Sequence, residues 1–357
     1  MTKILVIGGG PAGLTAAIEA AKQGFNVTLF EKAKIGENIK CAEGFFDTMK
    51  LLEKPCAGVL FKVEQIIVKA KSTYSFDASY LNLWMIDRAV WQKALAKQAE
   101  NSKVIIKQDF PVQHRELKQL RTAYDYIIDA SGAPSVTSRL YGFSSFHKEN
   151  SARTVQYTLR GDFSHIGNCL KVGLMPDFWG YYWIFPKGKD AANVGVGDFY
   201  PVRSESLWAR LDKIIEQEGL SEYEILKKIG GICPTAIPES LKYDNILLVG
   251  DAAGLTSPLH GGGLDMAVIS AMEAVKAIVS NAQSYDKNLR AVFAAKLKFE
   301  RFLAKLWRQR NLDEMDELIK NLEKNRIYGF MLNPHLINDT TITLLEKFLA
   351  KQQSVEC

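Results

Sequence analysis

A short apolar run, Lys3–Ile7, followed at once by Gly8-Gly9-Gly10-Pro11-Ala12-Gly13, restricts this chain more than any other feature. The run suits a strand buried on both faces of a parallel sheet. The G-x-G-x-x-G pattern then turns the chain, a helical run from Leu14 to Lys22 ends at Gly24, and a second strand, Asn26–Phe30, ends at Glu31. Strand, turn, helix, strand and acid in this order make a βαβ unit that holds a dinucleotide. Gly8 permits the tight turn, Gly10 lets the backbone approach a pyrophosphate, and Gly13 lets the helix lie close to the strand. The free N–H groups of the helix start, where Ala12 sits, face the phosphates. Glu31, followed by Lys32, is placed to accept hydrogen bonds from ribose hydroxyls. The plainer alternative is a glycine-rich turn in an unrelated α/β unit.

A chain of 357 residues has room for two domains and a large core. With 47% hydrophobic and 24% charged residues it has the composition of a soluble globular protein. The net charge of +5 gives no argument for nucleic acid. Five scattered cysteines without a C-x-x-C pair argue against a zinc ribbon, an iron–sulfur site or a disulfide framework, so no metal is expected and a reducing cytoplasm is the expected compartment. No apolar run is long enough to span a bilayer, and the N-terminus, which enters a strand directly, does not read as a signal peptide.

A second glycine-rich turn lies far downstream. The strand-like Asn245–Gly250 runs into Asp251-Ala252-Ala253-Gly254, then Pro258 and Gly261-Gly262-Gly263, and an alanine-rich helix begins at Leu264. This G-D-A-A-G-x3-P-x2-G-G-G segment resembles the ribityl-binding motif of FAD enzymes of the p-hydroxybenzoate hydroxylase fold superfamily. The resemblance implies that Asp251 holds a ribityl hydroxyl. It also implies that Gly262, Gly263 and Leu264 bring a helix N-terminus to the pyrimidine edge of the flavin, where negative charge builds on reduction. Tyr126–Gly132 (YIIDASG) resembles a D-A-x-G segment of the same superfamily and adds Gly132, with Ser135 and Arg139 after it. The superfamily places an arginine near the FAD phosphates at the position of Arg88, which is otherwise a solvated helix-start residue. Phe110, after the strand VIIKQDF, is a candidate backbone contact for the adenine. A single complete dinucleotide fingerprint leaves no resident nicotinamide domain, so the external electron donor is NAD(P)H docking transiently or a protein such as ferredoxin.

The expected fold is α/β: a Rossmann-type FAD-binding domain with an inserted antiparallel β-sheet substrate domain and a helical C-terminal region. The FAD-binding domain is expected to be discontinuous, over residues 1–60, 86–140 and 236–285. The substrate domain takes 61–85 and 141–235, where Phe61–Phe76, Thr154–Gly161, Cys169–Leu174, Gly180–Phe185 and Ala192–Phe199 read as strands. Leu207–Glu218 and Tyr223–Ile229 read as helices. Residues 286–357 form the helical region. There Phe299, Phe302, Leu303, Leu306 and Trp307 recur at helical spacing among Lys296, Lys298, Arg301, Lys305, Arg308 and Arg310. Such a basic amphipathic helix packs on the body of the protein or lies on an anionic membrane. Thr341–Leu349 reads as one more short helix, and nothing assigns a role to Cys357.

The segment Tyr181-Tyr182-Trp183-Ile184-Phe185-Pro186 places aromatic rings where a core strand ordinarily has aliphatic ones. In a strand, Tyr181, Trp183 and Phe185 share one face, with Tyr182 and Ile184 on the other. Three rings on one face make a dry wall, or they fill a sheet-on-helix core. Y-x-W-x-F-P resembles the substrate-cavity motif of the geranylgeranyl reductase family, and Cys41-Ala42-Glu43-Gly44 resembles that family's C-[AG]-E-G stretch beside the flavin. The resemblance runs from residue 1 to about 280. Two departures are Phe178, where the family often has proline, and His260, where it more often has a small hydroxyl residue. The resemblance implies an FAD-dependent oxidoreductase that saturates C=C bonds of prenyl chains of a lipid or other isoprenoid, by hydride transfer and proton donation. It places Cys41, Ala42 and Gly44 beside the flavin. Cys41 and His260 are the candidate catalytic residues. Each also has a structural reading, as a small residue beside the flavin and as a packed ring. The rival functions are a flavin monooxygenase or halogenase acting on an aromatic substrate and an electron-transfer flavoprotein subunit.

Overall fold

The computed structural model describes residues 1–175, 179–199, 206–325, 340 and 343. In chain order its strands are β1 (Lys3–Ile7), β2 (Asn26–Phe30), β3 (Gly44–Asp47), β4 (Val59–Lys62), β5 (Gln65–Lys69), β6 (Thr73–Asp77), β7 (Asn82–Ile86) and β8 (Ile105–Lys107). They continue with β9 (Tyr126–Asp129), β10 (Ser151–Arg160), β11 (Cys169–Leu174), β12 (Gly180–Pro186), β13 (Ala191–Asp198), β14 (Glu224–Pro234), β15 (Lys242–Tyr243) and β16 (Ile246–Leu248). The helices are α1 (Pro11–Lys22), α2 (Arg88–Asn101), α3 (Leu117–Ala123), α4 (Val136–Tyr141), α5 (Ser144–Glu149), α6 (Leu207–Gln217), α7 (Leu264–Ser280), α8 (Tyr285–Arg308) and α9 (Leu312–Asn325). Phe178, Cys357 and the helix expected over Thr341–Leu349, apart from Thr343, lie outside the described residues.

The first sheet has the order β15-β16-β9-β1-β2-β8 and is parallel except for the β15 edge. After their first residues β1 and β2 are buried throughout, as strands covered on both faces must be. Helix α1 packs against both α2 and α7. The order reverses at β1, with β2 on one side and β9 on the other. Such a switch point opens a crevice at the carboxyl ends of the strands, where ligands bind. Here those ends carry Gly8, after β1, and Asp129, which closes β9.

The second sheet, β14-β10-β13-β12-β11-β5-β6, is antiparallel except for the β5–β11 pair. One face packs Val155, Tyr157, Tyr182, Ile184, Val194 and Val196 against Leu211 and Ile214 of α6. A three-stranded sheet, β3-β7-β4, completes the β structure. Helix α8 contributes Leu289, Phe293 and Leu297 to the core of the first sheet. Helix α9 covers the β6 edge: Ile319 packs with Tyr74 and Phe76, and Asp316 accepts from the Tyr74 hydroxyl at 2.9 Å.

The helix expected over Tyr223–Ile229 is not formed. Residues 224–234 are β14, paired with β10 along its length, with an irregularity at Thr158/Leu159. Gly230 and Gly231 weaken a helix that would continue through them, and pairing with β10 outweighs the local pattern. A different glycine matter arises on β13. Trp183 faces Gly195 and Tyr181 faces Gly197 across the β12–β13 pair. A Cβ on Gly195 would collide with the six-membered ring of Trp183, so the indole lies over a strand kept bare for it. Gly195→Val is expected to lose about 1–3 kcal/mol by overpacking. Urea unfolding would show it as a lowered midpoint at unchanged slope, together with a shifted tryptophan emission.

Candidate active site

The first turn is built by close approach. Gly8 has φ +109° and donates to the Phe30 carbonyl at 2.8 Å. A side chain there would strike the Ala130 carbonyl, and one on Gly13 would strike the Gly8 carbonyl. Around Gly10, by contrast, nothing lies within 4 Å of where a Cβ would be. Pro11 opens α1 with no side-chain cap. The helix start therefore presents N–H groups to an open approach, which suits a pyrophosphate. Glu31 accepts from the Gly9 N–H at 2.5 Å and the Ala33 N–H at 3.0 Å. Its remaining lone pairs are available for ribose hydroxyls. Lys32 is exposed beside it. The Phe110 ring lies tilted against Phe30 with centroids 4.4 Å apart, and Phe110 donates its N–H to the Glu31 carbonyl at 2.8 Å.

The second turn meets the first. A Cβ on Gly250 would lie 3.1 Å from Cβ of Ala12, so both backbones come together there. Asp251 is accessible from the site, yet enclosed closely enough elsewhere that burial raises its carboxyl above the usual range, with Arg88 pulling the other way. Arg88 opens α2 behind the Asp87 cap, and its buried Nε has no hydrogen-bond partner among the described residues. An orphaned guanidinium N–H whose charge acts on Asp251 fits a phosphate group. These features fit FAD: Gly8, Gly10, Ala12 and Gly13 would take the pyrophosphate, Glu31 the ribose, Arg88 a phosphate and Asp251 the ribityl chain. In the YIIDASG segment Asp129 is fully buried and accepts from Ser131 N–H, Thr137 N–H and the Thr137 hydroxyl, so it holds the loop that presents Gly132. Arg139 is exposed.

Residues not singled out in the sequence hold the Cys41–Gly44 loop. Glu43, 6% exposed and at φ 70°, accepts from the Arg88 N–H at 3.1 Å and the Asn193 amide at 2.9 Å, and pairs with Lys187. Asn193 also donates to the Ala42 carbonyl at 3.2 Å. Buried Gln156 donates to the Cys41 carbonyl at 3.3 Å and accepts from the Trp183 indole at 3.1 Å. One side chain thus sets the aromatic wall against the loop. A Cβ on Gly44 of β3 would lie 3.8 Å from the Phe185 ring. Nothing local to the sequence marks Gln156, Asn193 or Lys187, because they reach the loop from three other places in the chain.

The rings of Tyr181, Trp183 and Phe185 follow one another at 5.9 and 6.4 Å, and Phe199 stacks on Tyr181. The opposite side chains, Tyr182 and Ile184, fill the core over α6. The Tyr181 hydroxyl donates to the His260 carbonyl at 2.7 Å, and burial raises its phenol. Cys233 joins this region beside Gly261, its thiol pushed up to about 12 by burial and by Asp251 and Cys41.

The two His260 nitrogens meet different partners. Nδ1 accepts from the Gly262 N–H at 3.2 Å, and Nε2 lies 3.6 Å from Glu300. Gly262 therefore spends its N–H inside the turn. A Cβ on Gly263 would meet the Leu255 carbonyl at 2.8 Å, and Leu264 opens α7. Behind His260, Lys296 donates to Glu300 and to the Thr48 hydroxyl, each at 2.6 Å, and lies 3.9 Å from Asp265. Lys296 is only 6% exposed, which corrects its expected place on the solvated basic face of α8. Its carboxylate neighbours outweigh its desolvation. Farther along α8, Trp307 meets Trp179 edge to face at 6.4 Å and Arg308 lies 3.8 Å over that ring, so the aromatic stripe packs on the body of the protein.

Comparison with known proteins follows this geometry. Residues 3–67 match the FAD binding domain family, and residues 169–233 match the geranylgeranyl reductase catalytic domain. The digeranylgeranylglycerophospholipid reductase of Methanosarcina mazei is 28% identical over 346 residues, covering 85% of this chain and 80% of that protein. A geranylgeranyl bacteriochlorophyll reductase-like protein from Thermoplasma acidophilum superposes with TM-score 0.76 at 23% identity, over 90% of this chain and 91% of its own. The flavin-dependent halogenase CmlS superposes with TM-score 0.66 at 19% identity, over 90% of this chain and 70% of its own. The fold is common to reductase-like and halogenase structures, while the catalytic-domain match and the Methanosarcina mazei relative are reductases.

Lys296→Met leaves Glu300 without its ammonium partner and is expected to lose about 3–5 kcal/mol, with part of that recovered in Lys296→Met/Glu300→Leu. Denaturant unfolding of the three proteins checks this. Burial would raise Glu300, but Lys296 and His260 outweigh it and hold the carboxyl at about 2. A depressed carboxyl stabilises the fold fully above its unfolded value of about 4.3 and loses that contribution as pH falls. The stability gap between wild type and Glu300→Gln should therefore close between about pH 4.3 and 2. Arg88→Met should weaken FAD retention at least about tenfold, roughly 1.4 kcal/mol, as read by flavin absorbance after dialysis.

Proposed function

Because this chain belongs to the geranylgeranyl reductase family of FAD-dependent oxidoreductases, we propose that it saturates C=C bonds in the prenyl chains of a lipid or related isoprenoid. The observation that carries the reading is the ring face of Tyr181, Trp183 and Phe185, tied through Gln156 to the Cys41 carbonyl. Bound FAD, once reduced, supplies hydride to one alkene carbon. The chain's own residues supply the rest. The three rings give a flat apolar wall that holds an isoprenoid tail and excludes water, which an isolated alkene needs because it accepts hydride poorly. The Cys41 thiol, which accepts from the Glu43 N–H at 3.2 Å, is the group assigned to protonate the other alkene carbon. His260 is tied to the same wall through its carbonyl, which accepts from the Tyr181 hydroxyl.

The cofactor domain in this reading comprises residues 1–60, 86–140 and 236–285, the substrate domain 61–85 and 141–235, and the helical region 286–357. Electrons enter from NAD(P)H or from a protein such as ferredoxin. No helix among the described residues is long and apolar enough to cross a membrane. The exposed side of α8, with Arg301 and Lys305, is the surface offered to an anionic lipid headgroup layer.

A single-turnover experiment tests the reading. The anaerobically reduced holoprotein is mixed with a geranylgeranyl lipid, and the return of oxidised flavin absorbance is followed beside product mass. Reoxidation with a gain of two hydrogens per flavin is the expected result. Slow reoxidation by prenyl lipids, with fast reoxidation by oxygen and hydroxylation or halogenation of an aromatic compound, would replace this reading with the monooxygenase or halogenase one. Trp183→Ala should lower kcat/KM for the prenyl lipid at least about tenfold, with FAD content unchanged.

A further inference from the structure

The buried cluster behind the triple-glycine turn has more acids than bases. The Lys296 ammonium is the cation at its centre, and Glu300, Asp265 and Asp47 act on it as anions. All four residues are at most 6% exposed. Glu300 Oε2 and Asp47 Oδ1 are buried without a hydrogen-bond partner among the described residues. One further member can become a cation: His260, whose buried Nε2 has no hydrogen-bond partner and lies 3.6 Å from Glu300 Oε1. Its Nδ1, as the acceptor from Gly262, is the nitrogen without a proton. The groups that face His260 come from every side. Glu300 and Lys296 are on α8, and Asp265 is on α7. Phe46 is on β3, with Asp47 and Thr48 next to it. Tyr181 is on β12, and Cys233 lies across Gly261. Three carboxylates against one ammonium thus leave the surroundings short of positive charge beside the turn assigned to the flavin's pyrimidine edge.

We propose that His260 stores a proton for the reaction: it takes one up at Nδ1 when the flavin is reduced, releasing the Gly262 N–H, as imidazolium against Glu300, and surrenders it to the site when the alkene is reduced. The inference rests on the FAD-dependent prenyl reduction proposed above. The balance closes. Two electrons from the nicotinamide or ferredoxin donor enter with two protons, one on the flavin and one on His260. The alkene then receives two electrons and one proton as hydride on one carbon, and on the other a proton that the store on His260 replaces. Oxidised flavin and neutral imidazole are regenerated. Lys296 and Glu300 act as positioning residues: the ammonium keeps Glu300 anionic, and the carboxylate faces Nε2 so that Nδ1 is the atom that exchanges.

The test needs no prenyl lipid. The two-electron potential of the FAD-loaded protein is measured by spectroelectrochemistry across the neutral to mildly alkaline range. Each proton taken up per two electrons adds about 30 mV per pH unit, the tenfold equivalent for a two-electron couple. The wild-type slope should exceed that of His260→Asn by about that amount, and Glu300→Gln should lose the same increment. If His260→Asn does not retain FAD, Glu300→Gln carries the comparison. Equal slopes in wild type and His260→Asn would overturn the proton store and leave prenyl reduction standing. A lowered slope in His260→Asn with an unchanged one in Glu300→Gln would remove the role given to Glu300. Unequal slopes in a protein that fails to turn over prenyl lipids would keep the store and sink the substrate reading.

Discussion

The arrangement of this protein depends on one close approach of backbones. Gly13 lies against the Gly8 carbonyl, Gly8 against Ala130, and Gly250 against Ala12. Three segments that are remote in the chain, at the ends of β1, β9 and β16, therefore meet without a side chain between them. Any Cβ at Gly8 or Gly13 would have to push two main-chain layers apart, and interiors packed to crystal density do not yield that cheaply. The contact also places Asp251, Arg88 and the start of α1 around one approach path. The cofactor-binding geometry is thus a consequence of how tightly the sheet and its helices can close.

From that centre the rest is held by hydrogen bonds as well as by apolar contact. Glu43 joins α2 to the second sheet through the Arg88 backbone, Asn193 and Lys187. Gln156 joins the Cys41 carbonyl to Trp183. Buried polar groups bound at this density hold one geometry, because each unsatisfied partner would cost about 1–3 kcal/mol. The wall of rings is correspondingly aimed. Gly195 on β13 leaves the space over which Trp183 lies, and Tyr182 and Ile184 anchor the same strand from its other face.

Helix α8 links the two halves. Its first turns belong to the core of the parallel sheet through Leu289 and Phe293, its middle carries Lys296 and Glu300 behind the triple-glycine turn, and its end meets Trp179. A buried ion pair of this kind is a weak source of stability, since desolvation cancels much of the attraction. Its value lies in holding a charge where solvent would otherwise screen it.

The sequence by itself determined the parallel α/β half and the chemistry of its turns. G-x-G-x-x-G between an apolar strand and a helix, and G-D-A-A-G before a triple glycine, are local patterns whose glycines are required by local backbone contact, and so they are legible without a partner. The alternation that puts Tyr181, Trp183 and Phe185 on one face is likewise a property of any strand. Only the tertiary structure decided that Glu224–Pro234 is a strand, because ten registered partners on β10 outweigh a helical pattern that can be read either way. It alone placed Gln156, Asn193 and Lys187 at the Cys41 loop, from residues more than a hundred positions away. It alone turned Lys296 inward. A lysine on a basic amphipathic helix reads as solvated, and beside the local Glu300 its burial rests on Asp47 of β3 and Asp265 of α7, which no local window contains. Local backbone rules are written in short segments, whereas the pairing of a buried charge depends on which distant groups the fold brings beside it.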